Sequence, residues 1–274
     1  MRDVLLRRGT GGGRVSVVAV LTAAGSGSRL GHALPKALVP VRGEPLVVHA
    51  ARRLLDARDA RGPLVDTVVV TAPPEHLAAF GTALAALTVD PGRVRVVAGG
   101  ATRQASVAAG LAALVPPAGS SGAGPSDTTS SDDDEAADVV LVHDAARPFV
   151  PPELVARVVA AVEAGHDAVV PGLPVTDTVK RVGAELAGAA PVVGTVERAQ
   201  LRAVQTPQGF RLGLLRRAHD EAARHAHDES LAATDDAGLV ERLGATVVVV
   251  PGDERAAKIT TARDLRVAEL LGDA

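Results

Sequence analysis

Apolar positions along this chain come in two alternating textures. Short valine-rich runs (VSVVAVLT from Val15, DTVVVTA from Asp66, RVRVVAG from Arg93, DVVLVHD from Asp138, DAVVPG from Asp167) have no polar face. They predict strands buried on both sides. Between them lie longer stretches of helical character: PLVVHAARRLLDA from Pro45, PEHLAAFGTALAAL from Pro74, TRQASVAAGLAALV from Thr102 and PPELVARVVAAVEAG from Pro151. Strand then helix, repeated, predicts an α/β fold with a mostly parallel twisted sheet and helices on both faces. In such sheets ligands collect beyond the carboxyl ends of the strands, so those loops are where chemistry is expected.

Two segments break the rhythm. Residues from about 116 to 137 are rich in Pro, Gly, Ser and Asp without any apolar period, which predicts a disordered surface insertion. Its Asp132, Asp133, Asp134 and Glu135 read as a solvated acidic run before they read as a cation site. From about 174 to 209, PVTDTVKRV and PVVGTVERAQLRAVQTPQGF look like extended arms joined by GAELAGAA, predicting a protruding β-arm. A helix bearing His219, His225 and His227 follows, then a helix near Asp235 to Leu243, the strand ATVVVVPG and a last helix from about Thr261. The three histidines lack a ligand spacing, so a solvated helix face is expected rather than a metal site.

At 274 residues, 47% of them hydrophobic, the chain can bury one substantial core. Residues 15–274 are expected to form a single domain after a flexible extension over 1–14. A formal net charge of −3 leaves no basic excess for nucleic-acid binding, so any anion site must be local. The chain has no cysteine, which removes disulfides, thiolate metal sites and thiol nucleophiles and suits a reducing cytoplasm. The run Val15 to Leu21 is too short to cross a bilayer, and no signal-peptide-like segment precedes it. A cytoplasmic protein without membrane partners is expected. Aromatics at 1% make base recognition by stacking a poor expectation; backbone groups and small side chains would have to hold a base.

Candidate chemistry gathers at two strand ends. The first strand runs into AAGSGSRLGHALPK, where Gly25, Gly27 and Gly31 let backbone N–H groups approach an anion, or simply close a tight loop. Arg29 and Lys36 beside those amides favour a polyphosphate cradle. The strand DVVLVHD brings Asp144 to a carboxyl end, a place for a magnesium-binding carboxylate. His143 with Asp144 suggests a hydrolase, but no nucleophile elbow supports that. Arg147 suits a bracing role through a carboxylate.

The motifs AAGSGSRLGHALPK, VHDAARP, PVTDTVKR, TVERAQL, TPQGF, TDDAGLVE and KITTARDL occur in the order found in 2-C-methyl-D-erythritol 4-phosphate cytidylyltransferases, and the chain resembles that family from Val15 to Leu270. The resemblance implies a Rossmann-like nucleotidyltransferase fold and a homodimer whose arms exchange contacts. The implied reaction, assisted by Mg2+, joins CTP to a phosphorylated polyol in the non-mevalonate isoprenoid pathway. It further implies that Arg29 and Lys36 stabilise the CTP phosphates and that Arg198 and Lys258 position the attacking phosphate. Ala23, Ala24, Gly25, Gly27, Gly100 and Ser106 match positions around the nucleotide. Asp144 and Ala145 match a site near ribose, phosphates and metal, and Thr178, Thr206 and Thr234 match the acceptor pocket. Where the family usually has Asn and Asp, this chain has Ala256 and Ala101. Two other readings follow from the same residues: a cytidylyltransferase for another polyol phosphate such as ribitol 5-phosphate, and a nucleotide-binding protein without turnover.

Overall fold

The computed structural model describes residues 15–25, 34–87, 93–114, 139–224 and 235–271. The expected extension over 1–14 and the insertion at 116–137 lie outside them. The five valine-rich runs are all strands of one sheet: β1 Val17–Thr22, β2 Thr67–Ala72, β3 Val94–Ala98, β4 Val139–Asp144 and β5 Ala168–Pro174. β4, β1, β2 and β3 lie side by side, parallel throughout. Helices return the chain between them: α1 Leu46–Leu55, α2 Leu77–Leu84, α3 Arg103–Ala112 and α4 Pro152–Glu163.

Period-two alternation explains why the strands are apolar on both sides. In β1, Val17, Ala19 and Leu21 face one core, with Leu54 of α1, Phe80 of α2 and Leu154 and Val158 of α4. Val20 faces the other, with Val107 and Leu111 of α3. In β4, Leu141 joins the first core while Val140 and Val142 join the second. A one-residue slip would exchange every such side chain between two differently shaped layers, so the register is strongly specified.

The segment expected to protrude divides in two, which corrects the boundaries 174–209. Only the hairpin of β6 Lys180–Val182 and β7 Val192–Thr195 pairs outside the main sheet. β8 Arg202–Val204 and β9 Gln208–Arg211 return to it, antiparallel to β5, and β9 also pairs antiparallel with β4. Gln208–Arg211 therefore lines the edge of the strand that ends in Asp144, while Arg202–Val204 lines β5. Helices α5 Leu212–Arg224 and α6 Asp236–Arg242 complete the second core. β10 Val247–Pro251 then pairs parallel with β5, and α7 Ala262–Leu271 closes the chain. Ile259 and Ala268, at and after the approach to α7, pack on Val41 and Leu46. Among the described residues no helix is long and apolar enough to cross a membrane.

Candidate active site

The carboxyl ends of β1, β3 and β4 open into a cleft of about 430 Å³. One wall is the β1 end, Thr22 to Gly25; a second is the turn Gly100 to Arg103 with Ser106; Lys36 and Ala37, Asp144 to Ala146 and Lys258 complete the lining. The expected residues Ala23, Ala24, Gly25, Lys36, Gly100, Ser106, Asp144, Ala145 and Lys258 are thus gathered around one space. Gly27, Arg29 and Thr234 lie outside the described residues. Thr178 and Arg198 are exposed on the segments that flank the hairpin, away from the cleft lining, with Arg198 donating to the carbonyl of Thr176.

The second wall is built by small residues. A Cβ on Gly100 would stand 2.4 Å from Cβ of Ala105, and one on Gly99 2.8 Å from Cβ of Ala24, so neither position accepts a larger residue without movement. Ser106 is buried, its Oγ accepting from Gly100 N–H at 3.1 Å and lying 2.9 Å from the Thr102 carbonyl. It shapes the turn from beneath. The Thr102 side chain caps α3 by accepting from Ala105 N–H.

Asp144 is the electrostatic centre. Its Oδ1 accepts from Arg103 Nε at 3.2 Å and its Oδ2 from Lys258 Nζ at 2.7 Å. Burial raises the tendency of this carboxyl to take a proton, but Arg103 and Lys258 outweigh burial and hold it well below the usual carboxylate range. It remains ionised. Arg103 reaches further, donating from Nη1 to Asp236 Oδ2 at 2.6 Å, and Asp236 is in turn 2.9 Å from His219 Nε2. Two carboxylates and two cations form a compact, balanced cluster that runs from the cleft floor, at Asp144, Arg103 and Lys258, to Asp236 buried behind it.

Beneath Asp144 the backbone is fixed by a directed chain. The Arg147 carbonyl can only accept, so His143 Nε2, 3.2 Å away, carries the ring proton. His143 Nδ1 then accepts from the Thr206 hydroxyl at 2.9 Å, and Thr206 Oγ1 accepts from Asp144 N–H at 3.1 Å. His143 is fully buried, and burial holds its pKa down to about 4, against 6.5 for a free imidazole. It is a neutral structural link, which removes the hydrolase reading, and Thr206 is a buried support under Asp144, outside the cleft lining.

Lys258 is placed by its loop. Gln205 Nε2 donates to the Asp253 carbonyl, and Asp253 N–H donates to Gln205 Oε1. Arg147 Nη1 donates to the Ala256 carbonyl at 2.7 Å and Nη2 to that of Val204 at 3.3 Å. Arg147 braces the loop as expected, but through carbonyls rather than a side-chain carboxylate. Ala256, fully buried, packs its methyl in the core while its carbonyl receives the arginine, so the loop is held by main-chain groups.

Three participants were not evident from the sequence: Arg103, Asp236 and His219. Arg103 opens a helix, where a cation opposes the dipole unless carboxylates compensate it, and that misplacement was the available signal. His219, expected on a solvated face, is buried and bonded to Asp236; His225 and His227 lie outside the described residues. Its spacing from Leu215, four residues earlier on α5, puts it on the apolar stripe.

A mostly parallel sheet with a glycine-shaped, cation-lined cleft at its strand ends defines the class: a nucleotide-using α/β enzyme of Rossmann-like architecture. The family model for IspD, 2-C-methyl-D-erythritol 4-phosphate cytidylyltransferase, matches residues 17–120 and 130–272. The chain is 47% identical over 258 residues to the 2-C-methyl-D-erythritol 4-phosphate cytidylyltransferase of Saccharopolyspora erythraea, covering 93% of this chain and 98% of the relative. It is 49% identical to the Nocardia farcinica protein of that name, covering 94% of both. Among solved structures, the Thermus thermophilus enzyme of that name aligns with a TM-score of 0.64 and 36% identity over 93% of this chain and 97% of that one. The 4-diphosphocytidyl-2C-methyl-D-erythritol synthase of Anaerococcus prevotii aligns at 0.71 and 25% over 93% and 95%. The chain belongs to the 2-C-methyl-D-erythritol 4-phosphate cytidylyltransferase family.

Proposed function

We propose that this enzyme transfers a cytidylyl group from CTP to 2-C-methyl-D-erythritol 4-phosphate, giving 4-diphosphocytidyl-2-C-methyl-D-erythritol and pyrophosphate in the non-mevalonate isoprenoid pathway. The observation that carries this reading is Asp144, held ionised between Arg103 and Lys258 on the floor of a strand-end cleft walled by the Ala23–Gly25 and Gly100–Ser106 segments. The family relatives name the acceptor, and neither ribitol 5-phosphate nor a turnover-free binder is favoured.

The acceptor's phosphate monoester carries about −1.5 to −2 charge at neutral pH, so it needs no side-chain base. One of its oxygens bonds to the α-phosphorus of CTP while the bond from that phosphorus to the β-bridging oxygen breaks, and pyrophosphate leaves with that electron pair. The barrier is the approach of two anions and the in-line placement of attacking and leaving oxygens. Arg29 and Lys36 neutralise the triphosphate in this reading, and Lys258 draws the acceptor phosphate toward the α-phosphorus. The base rests against backbone groups at Ala23, Ala24 and Gly100, where the described lining residues include no aromatic side chain. Asp144 would hold Mg2+: one ionised carboxylate facing phosphate oxygens is a donor set this ion uses, and its Oδ2 already takes a cation, Lys258 Nζ. When bound, the ion adds positive charge against the triphosphate.

We place Thr178 and Arg198, which flank the hairpin, in the acceptor site of a neighbouring subunit, making the active form a homodimer. In support, the hairpin exposes Val182, Leu186, Val192 and Val193, apolar surface that a second subunit would cover. The reaction is assigned to the cytoplasm, in keeping with a cysteine-free chain. Mass-spectrometric detection of the diphosphocytidyl product from CTP, Mg2+ and 2-C-methyl-D-erythritol 4-phosphate tests the reading. Product formed equally well from ribitol 5-phosphate would overturn the acceptor assignment.

A further inference from the structure

We infer that His219 is a positioning residue for cytidylyl transfer: through Asp236 it fixes the guanidinium of Arg103, and through Arg103 the orientation of Asp144 in the cleft. The inference rests on the function proposed above. His219 is not among the cleft-lining residues, yet an unbroken chain of side-chain bonds joins it to the floor. His219 Nε2 meets Asp236 Oδ1 at 2.9 Å, Arg103 Nη1 meets Asp236 Oδ2 at 2.6 Å, and Arg103 Nε meets Asp144 Oδ1 at 3.2 Å.

Each link has little freedom. Asp236 is 1% exposed and opens α6, whose first turn is pinned independently: Asp235 accepts from Gly238 N–H, and Gln208 of β9 bonds both Asp235 Oδ2 and Ala237 N–H. Gln208 stands opposite Val142, two residues before Asp144, so α6 and the cleft floor share one frame. Within it, His219 is the donor that occupies Asp236 Oδ1 and leaves Oδ2 for the arginine. His219 Nδ1 is buried without a partner among the described residues, which a ring bearing its proton on Nε2 tolerates best. If the imidazole is removed, Asp236 Oδ1 is buried and unsatisfied, and the carboxylate turns to share both oxygens with Arg103. The guanidinium is then drawn off Asp144.

The test compares wild type with His219→Leu, His219→Gln, Asp236→Asn and the double variant His219→Leu/Asp236→Asn, in the full-length protein, with rates normalised to the folded fraction from urea titration. The relay predicts that His219→Leu lowers kcat/KM for CTP about tenfold, the scale of one hydrogen bond to a charged group, while KM for the acceptor barely changes. His219→Gln, which keeps a donor near Nε2, recovers most of the loss, and His219→Leu adds nothing in the Asp236→Asn background. A leucine variant with unaltered kinetics per folded molecule, a glutamine variant as impaired as leucine, or additive losses would overturn the inference. Should the wild type lack acceptor-dependent turnover, the proposed reaction falls, and CTP binding by calorimetry in the same variants decides the relay separately. Weakening that is non-additive upholds it, and unchanged affinity overturns it.

Discussion

Acidification should destabilise this protein through His143 at a pH where Asp144 and Asp236 are still ionised. The ring is buried with the Arg147 carbonyl at Nε2 and the Thr206 hydroxyl at Nδ1, and a second ring proton has an acceptor only if that hydroxyl turns its own hydrogen away from the ring. Burial lowers the folded-state pKa from 6.5 to about 4. Between those values the unfolded chain binds a proton that the folded chain refuses. Stability is therefore complete above pH 6.5 and falls as pH drops toward 4, below which this contribution is constant. At about 1.4 kcal/mol per pH unit, the span of 6.5 to about 4 amounts to about 3 kcal/mol. Asp144 and Asp236, both held low, lose their stabilising charge only at still lower pH. Urea unfolding at pH 7.5, 6, 5 and 4.5, in EDTA, on wild type and His143→Gln measures this. The wild type should lose roughly 2–3 kcal/mol across that range, and the glutamine variant, less stable at pH 7.5, should show a much flatter dependence. Equal slopes in the two proteins would refute the assignment of a buried neutral imidazole.

Other outcomes follow from the cleft. Lys36→Ala and Lys258→Ala should each reduce turnover by about 10²–10³-fold, the cost of one lost transition-state cation or donor, with the midpoint lowered in Lys258→Ala, which leaves the buried Asp144 to Arg103 alone; near-normal turnover would remove that residue from the mechanism. Gly100→Ala forces a Cβ to 2.4 Å from Ala105, so CTP titration should show weaker binding and calorimetry a destabilisation of about 1–3 kcal/mol; unchanged CTP affinity would argue against this turn holding the nucleotide. Leu186→Asp with Val193→Asp, on exposed hairpin positions, should give a monomer by sedimentation with little turnover; an active monomer would separate the hairpin from catalysis.

The sheet was legible in the sequence because its central strands are apolar on both faces: the runs at Val17, Thr67 and Val139 admit few other placements. The cleft was legible wherever a motif follows such a strand directly, as with Ala23–Gly25 and Asp144. What escaped depends on distant partners. Arg103 and Asp236 are 133 residues apart, and neither segment alone announces the other. Extended residues 202–211 looked like part of an arm because local pattern does not say which strand an extended segment pairs with. Ala256 looked like a lost side-chain function, whereas the structure uses its carbonyl.

Pyrophosphate release from CTP and Mg2+ tests the account most directly, measured with 2-C-methyl-D-erythritol 4-phosphate, with ribitol 5-phosphate and without acceptor, in wild type and Lys258→Ala side by side. The account predicts release that requires the methylerythritol phosphate and nearly vanishes in the variant. Release without acceptor, equal release with ribitol 5-phosphate, or full activity in Lys258→Ala would contradict it.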